Sequence, residues 1–413
     1  MRGRRVLAMA VVAAVGGGLT SCADDGAEST SAARGGSSAQ QTGSMSSPST
    51  AESPSKSSKS GASAGRVTIG ASGDLLTHVA VRRSAEAYAG SAGHYDFRPM
   101  FAKVAPLIAK SDISICHMET PLTSTNTNLS QPGVLVFNTP HELADAVKDA
   151  GYDGCDFASN HTWDRGLAGL QDTIKVFDTA GVKLAAPGGS ATTPRLVTTY
   201  DVNGVKVAHL AYTYTIYNDW GPNTKVPPEA PWLGESLWPA VNSEGIIRDA
   251  KQAKADGADF VVVSMHWGQE YVDDPTEDQT RVATALLQSP DVDLILGTHV
   301  HRVQPCSVIN GKYVFYGLGN FLSNQSPSVD ASLIPQTQEG VHVTVTLERD
   351  ASGKVISSAT YQPTKVNLAG HVITPATASS NPTTFDRVTK TLQMLGNCPL
   401  DGKVATSHPS SLE

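Results

Sequence analysis

From residue 67 onward, the chain alternates short apolar runs with segments whose apolar residues recur at helical spacing. Residues 67–71 and 113–116 are apolar runs, and residues 98–110 between them carry the helical pattern. Residues 341–347 and 354–361 alternate apolar and polar side chains with period two, which predicts antiparallel edge strands. Strands that alternate with amphipathic helices are typical of α/β domains. The sequence therefore predicts an α/β fold with mixed sheets.

The same criteria predict further strands and helices between these segments. The strands are expected at 154–158, 182–185, 205–212, 260–265, 292–296 and 313–318, and the helices at 139–150, 167–180, 243–255 and 276–288. For the helix that opens at Thr139, we expect Thr139 as N-cap, Pro140 in the first turn, and Glu142 completing a capping box. Gly151 is expected just past its end.

The first 22 residues have the pattern of a processing signal. Arginines at positions 2, 4 and 5 precede an apolar run over 6–15, and Leu-Thr-Ser then leads to Cys22. Small residues before such a cysteine resemble a bacterial lipobox, which predicts a lipoprotein signal peptide over 1–21 and a lipidated Cys22. An ordinary signal peptide with a chance cysteine is the alternative. We expect an extracytoplasmic protein, anchored by lipid to the outer face of the cell membrane.

Composition separates the next segment from the domain and excludes two classes of protein. Residues 22–65 are expected to be a disordered tether after the lipidated cysteine, because 14 of the 43 residues from 23 to 65 are serine. The formal net charge of −8 argues against nucleic acid as a partner. After residue 22 no stretch reaches the roughly 18 apolar residues that a membrane span requires.

Four cysteines remain beyond Cys22, and none of them forms a C-x-x-C motif. They are Cys116, Cys155, Cys306 and Cys398. Outside the cytoplasm they can form two disulfides, for which the sequence leaves three pairings open. We favour Cys116 with Cys155, since both lie in predicted neighbouring strands, and Cys306 with Cys398.

Polar residues with ligand chemistry follow five of the predicted strands. They are Asp74; His117 and Glu119; Asn160 and His161; His266; and His299 and His301. In open α/β sheets, the carboxyl ends of the strands line the ligand crevice. Carboxylate, amide and imidazole groups that converge there are typical of a site for divalent metals. One histidine at a strand end is commonly structural, but five such strand ends together favour a metal site.

Several short motifs occur together in one order along the chain. They are Gly73-Asp74, Met118-Glu119-Thr120-Pro121-Leu122, Ser159-Asn160-His161 with Asp164-Arg165-Gly166, His266-Trp267-Gly268-Gln269-Glu270-Tyr271, Gly297-Thr298-His299-Val300-His301 and Gly317-Leu318-Gly319-Asn320-Phe321. Together they resemble the poly-γ-glutamate capsule synthesis protein CapA family, a branch of the calcineurin-like metallophosphoesterase superfamily. The resemblance covers about residues 67–324. It implies a four-layer αββα sandwich with two divalent metal ions (Mn, Fe or Zn) at the strand ends.

The resemblance also implies a role for each matching residue. Asp74 would bind the first metal, Glu119 would bridge the two, Asn160 and His266 would bind the second, and His299 and His301 would be divided between them. His161 would contact the substrate oxyanion and protonate the leaving group. Asp164 and Arg165 are candidates for orienting the His161 loop. Arg165, Trp267, Glu270 and Tyr271 are expected along the substrate cleft, and the tryptophan-containing insertion 218–239 beside it.

The chain departs from the superfamily pattern at two positions. Leu76 stands where the first motif normally has a metal-binding histidine, and His78 is a possible substitute or a substrate-facing residue. Glu119 replaces the usual bridging aspartate. These changes predict that one of the two metals is weakly held. We consider His94 and His117 as residues behind the ligands.

These observations leave three functional hypotheses. The first is a surface-anchored, metal-dependent hydrolase that acts in synthesis, anchoring or remodelling of an anionic envelope polymer such as poly-γ-glutamate, or on another phosphoester. The second is a metal-containing but non-catalytic scaffold or export partner of a membrane polymer synthase. The third is a solute-binding lipoprotein. In each, residues 66–325 form the main domain, and 326–413 add strands and a helix with a frayed end.

Overall fold

The computed structural model describes residues 65–400 and 403–405. The predicted signal peptide, Cys22 and the tether lie outside the described residues. The strands are β1 (Arg66–Leu75), β2 (Ile113–Met118), β3 (Leu122–Thr123), β4 (Thr139–Pro140), β5 (Gly154–Asp156), β6 (Lys183–Ser190), β7 (Thr193–Leu196), β8 (Thr198–Val202), β9 (Val205–Thr213), β10 (Phe260–His266), β11 (Leu294–Thr298), β12 (Cys306–Ile309), β13 (Lys312–Phe315), β14 (Asn320–Leu322), β15 (Glu339–Arg349), β16 (Val355–Asn367), β17 (Val372–Pro375) and β18 (Lys403–Ala405). The helices are α1 (Val79–Ala89), α2 (Arg98–Phe101), α3 (Ala105–Ile108), α4 (Glu142–Ala150), α5 (Gly166–Ala180), α6 (Trp238–Ala255), α7 (Glu277–Gln288) and α8 (Pro382–Leu392).

Two mixed sheets contain nearly all of these strands. The first has the order β17-β16-β15-β1-β2-β5-β6-β7, with β14 beside β1 and β18 beside β16. The second has the order β12-β13-β11-β10-β9-β8. In the first sheet β1, β2, β5 and β6 run parallel, and in the second β9, β10, β11 and β13 do. Each sheet therefore brings the carboxyl ends of several strands to one edge.

Alternation along β10 shows why the sheets stack face to face. Phe260 and Val262 pack with Val67 and Ile69 of β1 in a core between the two sheets. Val261 and Val263 point the other way and pack against α6 and α7. A third core, on the outer face of the first sheet, includes residues of α1 to α5. The order of layers is thus helices, sheet, sheet, helices, which confirms the predicted αββα sandwich.

Two disulfides join the pairs of cysteines that the sequence favours. Cys116 and Cys155 are bonded across β2 and β5, where the parallel register places them side by side. Cys306 and Cys398 are bonded over a sequence separation of 92 residues. The second bond fixes the segment after α8 to β12. Closing a loop of this length stabilises a fold chiefly by restricting the unfolded chain.

Local predictions were wrong in three places. Thr139 and Pro140 form β4 beside β3 instead of capping a helix, so α4 begins at Glu142 after His141, without a side-chain cap. The predicted helix over 98–110 is broken into α2 and α3, and Pro106 lies in the first turn of α3. β15 lies between β1 and β16, and β16 lies between β15 and the strands β17 and β18, so neither is the edge strand that was predicted.

Candidate metal centre

Three buried side chains from two neighbouring strand ends form the centre of the site. Asp74 lies near the end of β1, and His117 and Glu119 lie at and just beyond the end of β2. All three are no more than 1% exposed. One potential ligand atom from each lies within 4.8 Å of the others. Carboxylate oxygens and imidazole nitrogens at this spacing have the chemistry to hold a divalent metal.

The glycine motifs explain how Asp74 reaches this position. The backbone N–H of Asp74 donates to the carbonyl of Gly319 at 2.9 Å, and β1 pairs with β14 so that Asp74 lies beside Asn320. A Cβ atom on Gly73 would lie 1.9 Å from that same carbonyl oxygen, so only glycine fits. The close approach of the two segments thus requires Gly73 and fixes the carboxylate of Asp74 at the strand end.

Several polar atoms of the site are buried without a hydrogen-bond partner among the described residues. They are both carboxylate oxygens of Glu119, Nε2 of His117 and Nδ1 of His299. A buried polar atom without a partner is costly, and a buried carboxylate especially so. A cation beside Glu119 and His117 would satisfy the atoms of these two residues. The donor set therefore fits the divalent metal that the sequence predicts.

His301 lies between the two carboxylates of the cluster. Its Nδ1 is 3.1 Å from Asp74 Oδ2 and 3.1 Å from Asn320 Oδ1, and its Nε2 is 3.5 Å from Glu119 Oε1. Burial alone would lower the pKa of His301, but Glu119 and Asp74 raise it to about 10. Burial raises the pKa of Glu119 to about 7. The two carboxylates thus favour the charged form of the His301 ring.

His117 is held by a carboxylate behind it. The register of β2 and β5 places His117 beside Asp156, and His117 Nδ1 is 2.6 Å from Asp156 Oδ1. With Nδ1 bonded to the carboxylate, the unpartnered Nε2 is the atom left for a metal. Histidine ligands commonly carry such a carboxylate on their other ring nitrogen. His117 therefore supplies an imidazole to the cluster. Leu76 has no imidazole, and His78 is not one of the three grouped side chains.

We expect Asp156→Asn to weaken metal binding by about 10- to 100-fold, because the carboxylate orients the His117 ring and raises its basicity. Metal affinity measured by competition with a chelating dye would show the change. Asp172→Asn is the matched control, since Asp172 accepts hydrogen bonds from Ser124 at a distance from the cluster. Equal affinity in wild type and Asp156→Asn would show that His117 is not a ligand.

The second sheet brings a further group of histidines to the cluster. His266 ends β10, and its Nε2 is 3.0 Å from Oδ1 of Asn160. Its ring stacks on His117 at 4.7 Å and lies 4.7 Å from the ring of His299. Burial, followed by the neighbouring histidines, lowers the pKa of both His266 and His299 well below the usual value. Both rings are therefore neutral, which is the form that binds metals.

The backbone around these histidines is unusual. His299 and His301 have positive φ angles of 94° and 56°, and Tyr271 in the facing loop has one of 63°. Such conformations are unfavourable for residues other than glycine and cluster at functional sites. The backbone N–H of His299 donates to Asp74 Oδ1 at 3.3 Å, which ties this turn to β1. The turn after β11 thus presents both imidazoles to the carboxylates.

His161 and Asp164 form a hydrogen-bonded pair at the wall of the cleft. His161 Nδ1 is 2.9 Å from Asp164 Oδ2, and the same oxygen accepts from the backbone N–H of Phe137 at 2.6 Å. The Phe137 ring packs edge-on against His161 at 4.7 Å. Asp164 thereby fixes the ring of His161 and leaves Nε2 as the nitrogen available to a substrate.

A cleft of about 570 Å³ opens beside the cluster. His161, His299 and His301 line it, as do Glu270 and Tyr271, which the sequence places along the substrate cleft. The lining also includes His78, which packs edge-on against Phe137. The cleft therefore connects the candidate ligands with the residues expected to meet a substrate.

Two residues expected along the cleft lie elsewhere. Trp267 is 1% exposed and donates from Nε1 to the carbonyl of Tyr316, because its ring fills the core between the second sheet and its helices. Arg165 donates to the carbonyls of Phe137 and Val136, so it holds the wall loop from behind and lines a separate polar groove.

Sequence reasoning misses the roles of three residues of the site. It places His117 only behind the ligands and gives Asp156 and Asn320 no role. Asn320 Oδ1 lies 3.1 Å from His301 Nδ1, and its Nδ2 donates to Gln325. His117 does follow the strand pattern of the other ligands, and Asn320 lies in the Gly317–Phe321 motif. Asp156 is recognisable only from the strand register.

Within the described residues, no helix has the length and apolar character needed to cross a membrane.

The chain is similar to proteins of one bacterial family. The family model for the bacterial capsule synthesis protein PGA_cap matches residues 68–325. The PGA biosynthesis protein CapA of Bacillus subtilis is 28% identical over 278 residues, which are 67% of this chain and 66% of that protein. The capsule biosynthesis protein CapA of Bacillus anthracis is 32% identical over 228 residues, 55% of this chain and 54% of that one. The chain thus spans just under two thirds of the first relative's length and about half of the second's.

More distant similarities extend the comparison. A probable polyglutamine synthesis accessory protein of Mycobacterium tuberculosis is 24% identical over 251 residues, 60% of this chain and 64% of that protein. A solved structure of a hypothetical protein from Thermus thermophilus aligns with a TM-score of 0.39 at 14% identity, covering 75% of this chain and 98% of that one. Because the PGA_cap model covers well over half of the sequence, the chain belongs to the PGA_cap family of bacterial capsule synthesis proteins.

Proposed function

We propose that this protein is a metal-dependent hydrolase that acts in the synthesis, anchoring or remodelling of an anionic envelope polymer. The relatives' names, capsule and PGA biosynthesis proteins, support the polymer as the setting. The predicted lipobox at Cys22 supports a location on the outer face of the membrane. The observation that carries the proposal is the buried carboxylate of Glu119, whose two oxygens have no hydrogen-bond partner in the described part of the chain, while histidines from both sheets surround it.

The residues divide into those that would hold metal and those that would act on the substrate. One divalent ion would be held by Asp74, His117 and Glu119. A second would be held by Asn160, His266 and His299. Glu119 or His301 would lie between the two groups. Metal ions in such sites supply a water nucleophile at neutral pH and positive charge against a developing oxyanion.

The protein's own groups complete the reaction. His161, oriented by Asp164, lies at the cleft wall, where its Nε2 can give a proton to the leaving group of a phosphoester or amide. Asn160 donates from Nδ2 to Asn218 Oδ1 at 3.2 Å, which directs its own Oδ1 toward His266. His161, Asn160 and His266 are themselves buried, which strengthens their interaction with charge.

The test is hydrolysis by the full chain carrying Cys22→Ser, stripped with a chelator and reloaded with Mn²⁺, Fe²⁺ or Zn²⁺. Bis(p-nitrophenyl) phosphate and poly-γ-glutamate serve as substrates. We expect turnover that disappears on stripping and returns with at least one metal. No turnover with any of the metals, in a protein that binds them, would contradict the hydrolase and favour the scaffold. Leu76 in place of a ligand is the sequence feature behind that alternative.

A further inference from the structure

Beyond the candidate ligands, the cleft has apolar walls as well as polar residues such as Gln269, Gln279 and Gln325. Among the lining residues are Leu76, Leu135, Phe137, Trp220 and Trp238. Trp220 is 93% exposed and Leu135 is 58% exposed, although both are large hydrophobic residues. Val134 and Val136 beside Leu135 are also exposed. Exposed apolar side chains that line a cleft next to a reactive centre are typical of a ligand-binding surface.

Both apolar walls are attached directly to residues of the site. The loop with Leu135 is fixed where the Phe137 N–H donates to Asp164, the partner of His161. The loop with Trp220 is fixed at two points. Asn218 accepts a hydrogen bond from Asn160. Tyr214, whose ring lies 4.4 Å from that of His299, donates to the Asp219 carbonyl at 3.2 Å. These contacts place both walls next to the candidate ligands.

The charge of the cleft disfavours a chain of carboxylates. Neither lysine nor arginine is among the described residues that line it. Two of its three acidic residues are paired with cations outside the lining, Asp219 with Lys225 and Asp278 with Arg281. Glu270 has no side-chain hydrogen bond or ion pair among the described residues. A polyanion would thus meet one unpaired carboxylate and apolar walls beyond the centre.

We infer that the substrate is an amphiphilic phosphoester, whose phosphate lies at the metal centre and whose hydrocarbon body covers Leu135 and Trp220. This rests on the proposed hydrolase and names its substrate class. In the reaction, a bond forms from a water oxygen to phosphorus and the bond from phosphorus to the hydrocarbon alcohol oxygen breaks. One water proton ends on that alcohol, by way of His161, and the phosphate leaves as the second product.

The first experiment compares hexyl phosphate with glycerol 3-phosphate in detergent-free buffer, using the metal-loaded full chain with Cys22→Ser. We expect kcat/KM to be at least about 10-fold higher for hexyl phosphate, since only its tail reaches the apolar walls. Leu135→Ser and Trp220→Ser should each lower the ratio of the two kcat/KM values about 3-fold or more, mainly through the KM for hexyl phosphate. Val329→Ser is the matched control, an exposed apolar residue outside the lining.

The second experiment measures binding without turnover. Hexyl phosphate added to the metal-stripped protein should shift the tryptophan emission to the blue, and Trp220→Phe should remove most of that shift. Poly-γ-glutamate should compete weakly with hexyl phosphate for the loaded enzyme.

The outcomes separate the two proposals. Equal kcat/KM for both phosphates, with no effect of Leu135→Ser or Trp220→Ser, would overturn the amphiphilic substrate and leave the hydrolase standing. Tight competition by poly-γ-glutamate would overturn it as well. Hydrolysis of neither phosphate by any metal form would count against the hydrolase, and the emission shift would then still decide whether the walls bind a hydrocarbon.

Discussion

We expect Glu119→Gln to weaken metal binding by at least about 100-fold and to abolish hydrolysis. In the absence of metal, the variant should melt at a higher temperature than wild type. The carboxylate is buried, and within residues 65–400 neither of its oxygens has a hydrogen-bond partner. Burial raises its pKa from the ordinary value of 4.5 to about 7, so stability is lost as the pH rises between these two values and the loss is complete at pH 8. Glutamine keeps the shape of the side chain and removes the charge.

Melting curves at pH 8 with and without metal, together with metal content, test this prediction. Wild type should gain stability from metal by mass action, and Glu119→Gln should gain none. Glu142→Gln is the control, because Glu142 accepts hydrogen bonds from Asn126 outside the cluster. A variant that keeps full metal affinity, or is less stable than wild type without metal, would show that the carboxylate has a different role.

His161→Asn is expected to lower kcat by about 10²- to 10⁴-fold while metal content stays at the wild-type value. His161 lies at the cleft wall and is held by Asp164, but it is not one of the three grouped ligands. The loss should therefore be catalytic, without a change in the melting temperature of the loaded protein beyond a few degrees.

A substrate with a better leaving group separates this role from a structural one. The loss in kcat should shrink for a nitrophenyl ester, because its leaving group needs no proton. His94→Asn, at an exposed histidine, is the matched control. Loss of metal from His161→Asn would instead make His161 a ligand.

The fold and most of the candidate site follow from local patterns in the sequence. Parallel strands in each sheet carry these residues at or just beyond their carboxyl ends, Asp74 and Glu119 in the first sheet and His266 and His299 in the second. The alternation of Phe260, Val261, Val262 and Val263 likewise requires two different apolar layers. Such periodic features do not depend on contacts between distant segments.

The errors occurred where distant contacts decide the outcome. Thr139 and Pro140 are residue types that commonly begin a helix, but their pairing with Leu122 and Thr123 places them in a strand. The role of His117 depends on Asp156 in the next strand, a contact that only the register of β2 and β5 creates.

The position of the Trp267 side chain could not be predicted from its motif alone. Its place in a motif between His266 and Glu270 suggests the cleft, yet side chains alternate at the end of β10. His266 points to the metal centre, and the ring of Trp267 points into the core on the opposite face. A motif identifies a segment, whereas the face of the sheet decides which of its residues reach the site.

The most direct test is a crystal structure of the metal-loaded protein with anomalous data at the absorption edge of the metal. We expect an anomalous peak about 2.0–2.3 Å from Asp74, Glu119 and Nε2 of His117. If two peaks are present, one should be weaker than the other, at either of the two ligand groups. A loaded protein whose peaks lie away from Glu119, or whose His117 Nε2 makes no bond to metal, would contradict this expectation.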